Sequence, residues 1–182
     1  LIESLKNPAI YPHVASGIEV IETHLSWVIL TGPFAYKIKK PLALGFQDFT
    51  TLDKRKKFCE LEVEFNQPLA ASIYLEAIPI YGTPSEPSLV EKGAILEYAV
   101  KMHEFPQENL LRFFAEKKKL STKQIASIAT TLASFHQQAA IAPNNTNYGS
   151  PDDIFTAAND NCQALKGLNC ASARGVERLT MR

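Results

Sequence analysis

The chain has 182 residues, of which 46% are hydrophobic and 21% are charged, proportions that are ordinary for one globular domain or two small lobes. Its 19 Lys and Arg residues balance 19 Asp and Glu residues, so the formal net charge is zero. This balance argues against a general nucleic-acid binder, which usually carries a basic excess, and no apolar run approaches the roughly 18 residues of a membrane span.

Three strands are predicted near the start of the chain. The stretch 17–24, "GIEVIETH", alternates apolar and polar residues, and "SWVILTG" and "FAYKIKK" follow it, each after a short turn. Runs this closely spaced are typical of antiparallel strands joined as a meander.

The third predicted strand carries two lysines on one face. Side chains alternate between the faces of a strand, so Lys37 and Lys39 point the same way. The residues that point the other way are Phe34, Tyr36 and Ile38. Two interpretations are open: a sheet edge that lysine keeps solvated, or lysines held on a rigid strand to meet an anion.

One amphipathic helix is predicted after the third strand, from about Leu52 to Leu69. Thr50-x-x-Asp53 indicates its start as a weaker form of the capping box, and Pro68 is expected in or just beyond its last turn. The residues expected to face the core recur at helical spacing: Phe58, Leu61, Phe65 and Leu69. Cys59 borders this stripe and is expected to be a buried thiol.

Two further β-rich runs, "YLEAIPIYG" and "AILEYAVKM", lie on either side of a turn-rich link at 82–88. The order of elements is therefore three strands, a helix and two strands. It predicts an α+β fold in which one helix covers a five-stranded, mostly antiparallel sheet.

Helices are predicted for the remainder of the chain. "ENLLRFFAEKKKL" is helical, the capping box Ser121-x-x-Gln124 opens a second helix, and Pro151 begins a last helix that ends near Leu165. The stripe expected to be buried on the second helix is Ile125, Ile128, Leu132 and Phe135. The tail at 166–182 has no assignment.

This order of elements resembles the small lobe of the protein-kinase-like fold and the first helices of its helical lobe. Ala35-Tyr36-Lys37 is similar to the Ala-x-Lys of the third kinase strand, whose lysine contacts the α- and β-phosphates of ATP. The resemblance implies a small lobe at 1–102, a hinge at 103–106 and a partial helical lobe at 107–182. It makes Lys37 the candidate phosphate ligand and Lys39 the alternative.

A lysine in this position needs a counter-charge on the helix that follows. Glu62 borders the predicted apolar stripe in helical projection, so we expect it to reach Lys37. Glu60 is the second choice, and Glu64 is expected to face solvent.

More closely, the chain resembles the aminoglycoside phosphotransferase-like branch of this fold, in a bacterial group whose members are sometimes joined to a separate P-loop kinase domain. The stretches that carry the resemblance run from "IETHLSWVILTGPFAYKIKKP" through "LEYAVKMHEFP" to "LASFHQQA". It implies ATP and Mg²⁺ as cofactors, with an unknown small-molecule alcohol as phosphate acceptor. It also implies adenine binding by the backbone around Met102, His103, Glu104 and Phe105.

Two features of the protein-kinase pattern are absent, the first of which is often missing in the aminoglycoside branch as well. The turn at 23–26 lacks the Gly-rich loop, so Thr23 and Ser26 become candidate phosphate contacts through hydroxyl and backbone groups. No histidine is followed by x-Asp, the sequence that supplies the catalytic aspartate. Asp48-Phe49-Thr50 lies before the helix, on the wrong side of the order for a metal motif. We therefore expect no catalytic residue and no metal ligand in this chain, which looks truncated before the catalytic loop.

The chain is thus expected to be the nucleotide-binding part of an ATP-dependent small-molecule phosphotransferase, inactive on its own. The alternatives are a non-catalytic kinase-like module that senses nucleotide or contacts a partner domain, and a plain α+β domain with solvated lysines. Nucleic-acid and membrane partners are not expected. Three cysteines, Cys59, Cys162 and Cys170, cannot all pair in one chain, which favours free thiols in a reducing, cytoplasmic protein. Because the first residue is Leu1, we expect the natural start to be missing.

Overall fold

The computed structural model describes residues 1–44, 47–143, 146 and 149–167. The fold is α+β, and its centre is a six-stranded sheet in which every neighbouring pair is antiparallel, with strand order β1-β2-β3-β6-β4-β5. The strands are β1 Glu19–Glu22, β2 Ser26–Leu30, β3 Phe34–Lys39, β4 Tyr74–Gly82, β5 Pro87–Ser88 and β6 Ile95–His103.

Four α-helices accompany the sheet in the described part of the chain. They are α1 Leu52–Ala70, α2 Leu111–Glu116, α3 Thr122–Gln138 and α4 Pro151–Gly167. Short 3₁₀ turns lie at Ser4–Lys6, Pro8–Ile10 and Gln107–Asn109. The chain divides into two compact units between Phe135 and His136, and the sheet and α1 belong to the first.

The prediction of five strands is wrong by one short strand. β5 has two residues and pairs with the end of β4 inside the link that was predicted to be only turns. Gly82 makes this close return possible: its φ is +92°, and a Cβ there would lie 2.4 Å from the carbonyl oxygen of Glu86. Two residues are too few to show an alternating pattern, so the sequence carried no signal for β5.

The N-terminal segment, residues 1–16, covers one face of the sheet. Leu5 and Tyr11 are buried there against Tyr36 and Ile38 of β3. The Tyr11 hydroxyl donates a hydrogen bond to the Leu5 carbonyl at 2.6 Å, which satisfies its polar atom inside the core. This is the face that alternation assigned to Phe34, Tyr36 and Ile38, so the face prediction for β3 is confirmed.

Helix α1 covers the other face, and the side it buries is polar. Its buried residues are Arg55 and Cys59, with Glu62 one turn further along. The predicted core stripe is therefore wrong in its second half: Phe65 is 67% exposed and Leu69 is exposed as well. The helix N-cap is Thr51, whose Oγ1 accepts from Lys54 N, one residue later than predicted. Pro68 lies in the last turn and Cys59 is fully buried, as expected.

A buried ion pair fixes α1 to the sheet. Arg55 Nε donates to both carboxylate oxygens of Glu97 on β6, at 2.8 and 2.9 Å. Arg55 Nη1 donates to the carbonyls of Phe49 and Thr50 at 2.9 and 3.2 Å. One guanidinium therefore joins the loop before α1, the helix and the central strand of the sheet.

The last two helices, α3 and α4, lie within about two residues of their predicted boundaries, whereas α2 is shorter than predicted and α3 is less buried. Ser121 N donates to Gln124 Oε1 at 2.9 Å and Gln124 N donates to Ser121 Oγ at 3.3 Å, which confirms the capping box of α3. Three residues of its predicted buried stripe are exposed: Ile125, Ile128 and Leu132. The segment predicted as helix at 108–120 forms only the six-residue α2 beside a 3₁₀ turn.

Cys59 and Cys162 are free thiols, as expected, whereas Cys170 and most of the unassigned 166–182 tail lie outside the described residues. Among the helices that the structure describes, none has the length and apolarity needed to cross a bilayer.

We predict that Glu97→Gln lowers the free energy of unfolding by about 3 kcal/mol, because it leaves the buried Arg55 guanidinium without its counter-charge. Urea unfolding of the purified chain measures this. The control is Glu76→Gln, which removes the exposed partner of Lys101 and should change stability by less than about 1 kcal/mol. Equal effects of the two variants would show that the buried pair does not anchor α1.

Candidate functional site

A cavity of about 650 Å³ lies on the face of the sheet that α1 covers. Its walls come from β1, β2 and β3, the turn at 23–26, Glu62 of α1 and the segment 102–105, which comprises the last two residues of β6 and the two that follow. The apolar residues in its walls include Ile21, Val28, Leu30, Ala35, Ile73 and Met102. Gln107, the first residue of the 3₁₀ turn Gln107–Asn109, also lines the cavity. The cavity therefore has an apolar surface with a few charged groups set into it.

The charged groups are two lysines of β3 that share one carboxylate of α1. Lys37 Nζ donates to Glu62 Oε1 at 2.7 Å and Lys39 Nζ donates to Glu62 Oε2 at 2.5 Å. The expectation that Lys37 faces the helix within salt-bridge distance of Glu62 is confirmed. Because β3 lies between β2 and β6 inside the sheet, the interpretation of a solvated edge strand is wrong.

The second choice for the counter-charge, Glu60, points away from the sheet. Its side chain is exposed and its nearest cation is Lys56 on the same helix, at 3.9 Å. Glu64 is exposed too, as predicted. Arg55, Cys59 and Glu62 follow one another at spacings of four and three residues, and this row faces the sheet. The sequence predicted Cys59 and Glu62 on this side but not Arg55, because a hydrophobic pattern gives no signal for a buried guanidinium group.

Glu62 is ionised in this arrangement. Burial raises the pKa of the Glu62 carboxyl, but the hydrogen bonds and charges of Lys37 and Lys39 outweigh it, and the net pKa lies below the ordinary value. Burial raises the pKa of the neighbouring Cys59 thiol to about 12, so this thiol adds no negative charge. Two ammonium groups therefore face one carboxylate.

Thr23 organises the turn between β1 and β2. Its Oγ1 accepts from Leu25 N at 3.3 Å and from Ser26 N at 2.9 Å, and donates to the Ser26 carbonyl at 2.9 Å. Ser26 is buried and lies directly across from Lys39 in the β2–β3 register. Both candidate phosphate contacts thus line the cavity, but the Thr23 hydroxyl is already engaged within the turn.

All four residues predicted to contact adenine line the cavity: Met102, His103, Glu104 and Phe105. The Glu104 carboxylate accepts from the backbone N–H groups of Thr31 and Gly32 at 3.1 and 3.0 Å, so its side chain braces the β2–β3 turn. The backbone N–H of Glu104 donates to the Pro33 carbonyl at 3.2 Å. The N–H of Phe105 has no partner among the described residues and remains able to donate to a ligand.

Gln47 is a cavity residue that sequence analysis did not identify. Its side-chain oxygen is buried, with no hydrogen-bond partner among the residues that the structure describes. The residues just before it, Gly45 and Phe46, lie outside the described ranges. A single polar residue in a Pro- and Gly-containing connector has no pattern that distinguishes it from an ordinary loop residue.

The described residues do not fit a magnesium site. None of them form a group of three or more His, Cys, Asp or Glu side chains that could hold a metal ion. The two acidic residues in the cavity walls are engaged elsewhere, Glu62 with the two lysines and Glu104 with backbone N–H groups. The Asp48 carboxylate pairs with Lys54 outside the cavity.

Comparison with known proteins gives relatives without an assigned activity. The chain is 35% identical over 122 residues to uncharacterized proteins of Mycobacterium bovis and Mycobacterium tuberculosis. The matching stretch is 67% of this chain and 23% of each mycobacterial protein, so the chain spans only a minor part of these relatives. No family model matches the chain, and no solved structure matches it.

We predict that Glu62→Gln destabilises the chain by about 3 kcal/mol at neutral pH, since two lysines lose their buried partner. The folded-state pKa of Glu62 is depressed, so its contribution is complete above the unfolded-state pKa and is lost as pH falls through the folded-state pKa. The difference between wild type and variant should hold down to about pH 4.5 and shrink below it.

Chemical unfolding across this pH range measures the difference. Glu60→Gln, an exposed change on the same helix, is the matched control and should show no such dependence. A Glu62→Gln difference that persists unchanged in acid would mean that the effect does not come from the ionised carboxylate.

Proposed function

We propose that this chain is the nucleotide-binding part of an ATP-dependent small-molecule phosphotransferase of the protein-kinase-like fold, similar to the aminoglycoside phosphotransferase branch. The observation that carries the proposal is the Lys37–Glu62 ion pair between β3 and α1, inside a cavity that the segment 102–105 also lines. A strand lysine that pairs with a helix glutamate is the arrangement by which kinases hold the nucleotide phosphates.

The cavity has the size and surface that a nucleotide requires. Its volume of about 650 Å³ falls within the range of ordinary ligand pockets. Apolar side chains such as Val28, Ala35 and Met102 provide flat contact for a purine ring, and the ammonium groups provide contacts for phosphates. The adenine ring of ATP would thus contact the apolar part of the cavity wall, and its phosphates would contact the lysines.

Adenine would lie against the segment 102–105. In this proposal the N–H of Phe105 donates to the purine edge, because the N–H of Glu104 is held by Pro33. The Glu104 carboxylate fixes the β2–β3 turn beside it and thereby positions the segment. The phosphates would then extend along β3 toward Lys37.

Phosphate transfer in the proposed fold needs a catalytic aspartate in a His-x-Asp sequence and ligands for magnesium. None of the four histidines is followed by x-Asp, and the described residues offer no magnesium site. Phosphoryl transfer depends on positioning and electrostatic stabilisation, so binding and transfer separate when these groups are absent. Transfer to an alcohol acceptor, and fusion to a P-loop domain, are proposals about a longer protein.

We expect the chain to bind ATP, and Lys37→Ala to weaken that binding by about tenfold or more, since a charged hydrogen bond to phosphate is lost. Isothermal titration calorimetry with ATP measures this. Lys101→Ala is the matched control: it removes the same charge from the sheet, but Lys101 lies across from Tyr36, on the face away from the cavity. Equal affinities of wild type and Lys37→Ala, or no binding by wild type, would contradict the proposal.

We expect no phosphate transfer above background from the 182-residue chain, and transfer from a longer protein in which a His-x-Asp loop follows. ATP turnover and acceptor labelling, measured on both proteins, test this. A longer protein that binds ATP but transfers no phosphate would instead favour the non-catalytic nucleotide-sensing module. Robust turnover by the 182-residue chain would show that its catalytic groups lie elsewhere than in a His-x-Asp loop.

A further inference from the structure

We propose that Lys39 is a second phosphate-binding residue, which with Lys37 forms a side-chain clamp that selects ligands by the charge of their phosphate chain. This inference rests on the proposed function, because it assigns the phosphate end of the same cavity. The clamp takes the place of backbone N–H groups that would otherwise cradle the phosphates.

The position of Lys39 on β3 is the first argument. Lys37 and Lys39 point into the same cavity, and their cross-strand partners on β2 are Val28 and Ser26. Lys39 is therefore the lysine nearer to the turn at 23–26, which in the kinase-like arrangement covers the phosphates. A phosphate chain that passes Lys37 toward this turn meets Lys39 next.

The charge of the cluster is the second argument. Lys40 and Lys101 each pair with a carboxylate of their own, Glu22 and Glu76 respectively. Lys37 and Lys39, in contrast, share Glu62, and the Lys39 side chain is only 8% exposed. A buried ammonium group without a full counter-charge is costly, so this cavity favours an anionic ligand.

Among the described residues, no acidic group besides Glu62 forms an ion pair with Lys37 or Lys39. Glu104, the other acidic residue in the cavity walls, accepts from the N–H groups of Thr31 and Gly32. Glu97, the buried acid on β6, uses both of its oxygens on Arg55. The Cys59 thiol stays neutral because of its burial. Lys39 Nζ also lies 5.2 Å from the centroid of the Phe49 ring, a contact that orients the ammonium group without neutralising it. Two positive charges and one negative charge therefore leave the cluster with one positive charge.

The hydrogen bonding of the turn is the third argument. Thr23 Oγ1 accepts from the N–H groups of both Leu25 and Ser26, so these groups are not free to bind phosphate. A Gly-rich loop binds phosphate through such N–H groups. With these two N–H groups engaged, side chains become the main source of favourable contacts to phosphate, and Lys39 is the buried cation beside the turn.

The clamp predicts discrimination by phosphate number. When phosphate binds, its oxygens compete with Glu62 for the two ammonium groups, and each added negative charge increases the attraction. ATP should therefore bind more tightly than ADP, and ADP more tightly than AMP. The side chain of Gln47, whose buried oxygen has no partner among the described residues, lines the same cavity and can add a hydrogen bond to the ligand.

The test compares Lys39→Met with Lys40→Met by calorimetry against ATP, AMP and inorganic tripolyphosphate. Lys40 is the adjacent lysine, but its ammonium group lies over Trp27 and pairs with Glu22, away from the cavity. Lys39→Met should weaken ATP and tripolyphosphate binding by about tenfold, while AMP binding changes by less than about threefold. Lys40→Met should leave all three affinities unchanged.

Further variants separate charge from packing. Lys39→Arg keeps the positive charge and should retain ATP affinity within about threefold, whereas Lys39→Gln should behave like Lys39→Met. Circular dichroism shows whether each variant folds. If Lys39→Met does not fold, Lys39→Gln takes its place in the comparison. If Lys39→Arg keeps its affinity for ATP while Lys39→Met and Lys39→Gln lose it, the effect comes from the positive charge.

The outcomes distinguish this inference from the proposed function. Wild-type affinity for ATP in both neutral variants overturns the clamp and leaves the nucleotide proposal standing. Suppose that wild type binds tripolyphosphate as tightly as ATP and that Lys39→Met loses this binding. That result supports the clamp but overturns the nucleotide proposal, because adenine would then contribute nothing to the affinity. Absence of binding of all three ligands by wild type overturns both.

Discussion

The geometry of the cavity depends on one carboxylate, that of Glu62, which holds two lysines of β3 against helix α1. The helix reaches the sheet through this polar contact and through the Arg55–Glu97 ion pair, and its apolar residue Phe65 is exposed. Loss of one partner of a buried ion pair is strongly destabilising, so these contacts favour the observed register of α1 on the sheet over a shifted one. In that register the cavity lies between the two lysines of β3 and the segment 102–105.

Much of this could be predicted from sequence, because strand alternation is a strong constraint. The face assignment of β3 follows from a period of two, and the Lys37–Glu62 contact follows from alternation combined with helical phase. The buried side of α1 could not be predicted from hydrophobicity, since Arg55 and Glu62 are charged and each is compensated by a partner on the sheet, Arg55 by Glu97 and Glu62 by two lysines of β3. Charge pairing between a helix and a strand depends on tertiary distance, which no local pattern records.

The functional proposal depends on matching the two ends of the cavity to the two ends of a nucleotide. Contacts to phosphate would come from side-chain ammonium groups, and contacts to the base from apolar residues and the free N–H of Phe105. In this proposal binding and transfer are separable, because none of these described groups is assigned to orient an acceptor hydroxyl or to hold a metal ion. Glu62 acts by holding Lys37 and Lys39 in position, and it is a positioning residue in this account.

The most direct test of the central claim is a backbone amide NMR titration of the isotope-labelled chain with a non-hydrolysable ATP analogue. If ATP binds in the cavity, shift changes are expected at the segment 102–105, at the turn 23–26 and along β3 at Lys37 and Lys39, all on one face of the sheet. Changes confined to the opposite face, around Tyr11 and Tyr36, would contradict the claim, as would a spectrum that does not change at saturating ligand.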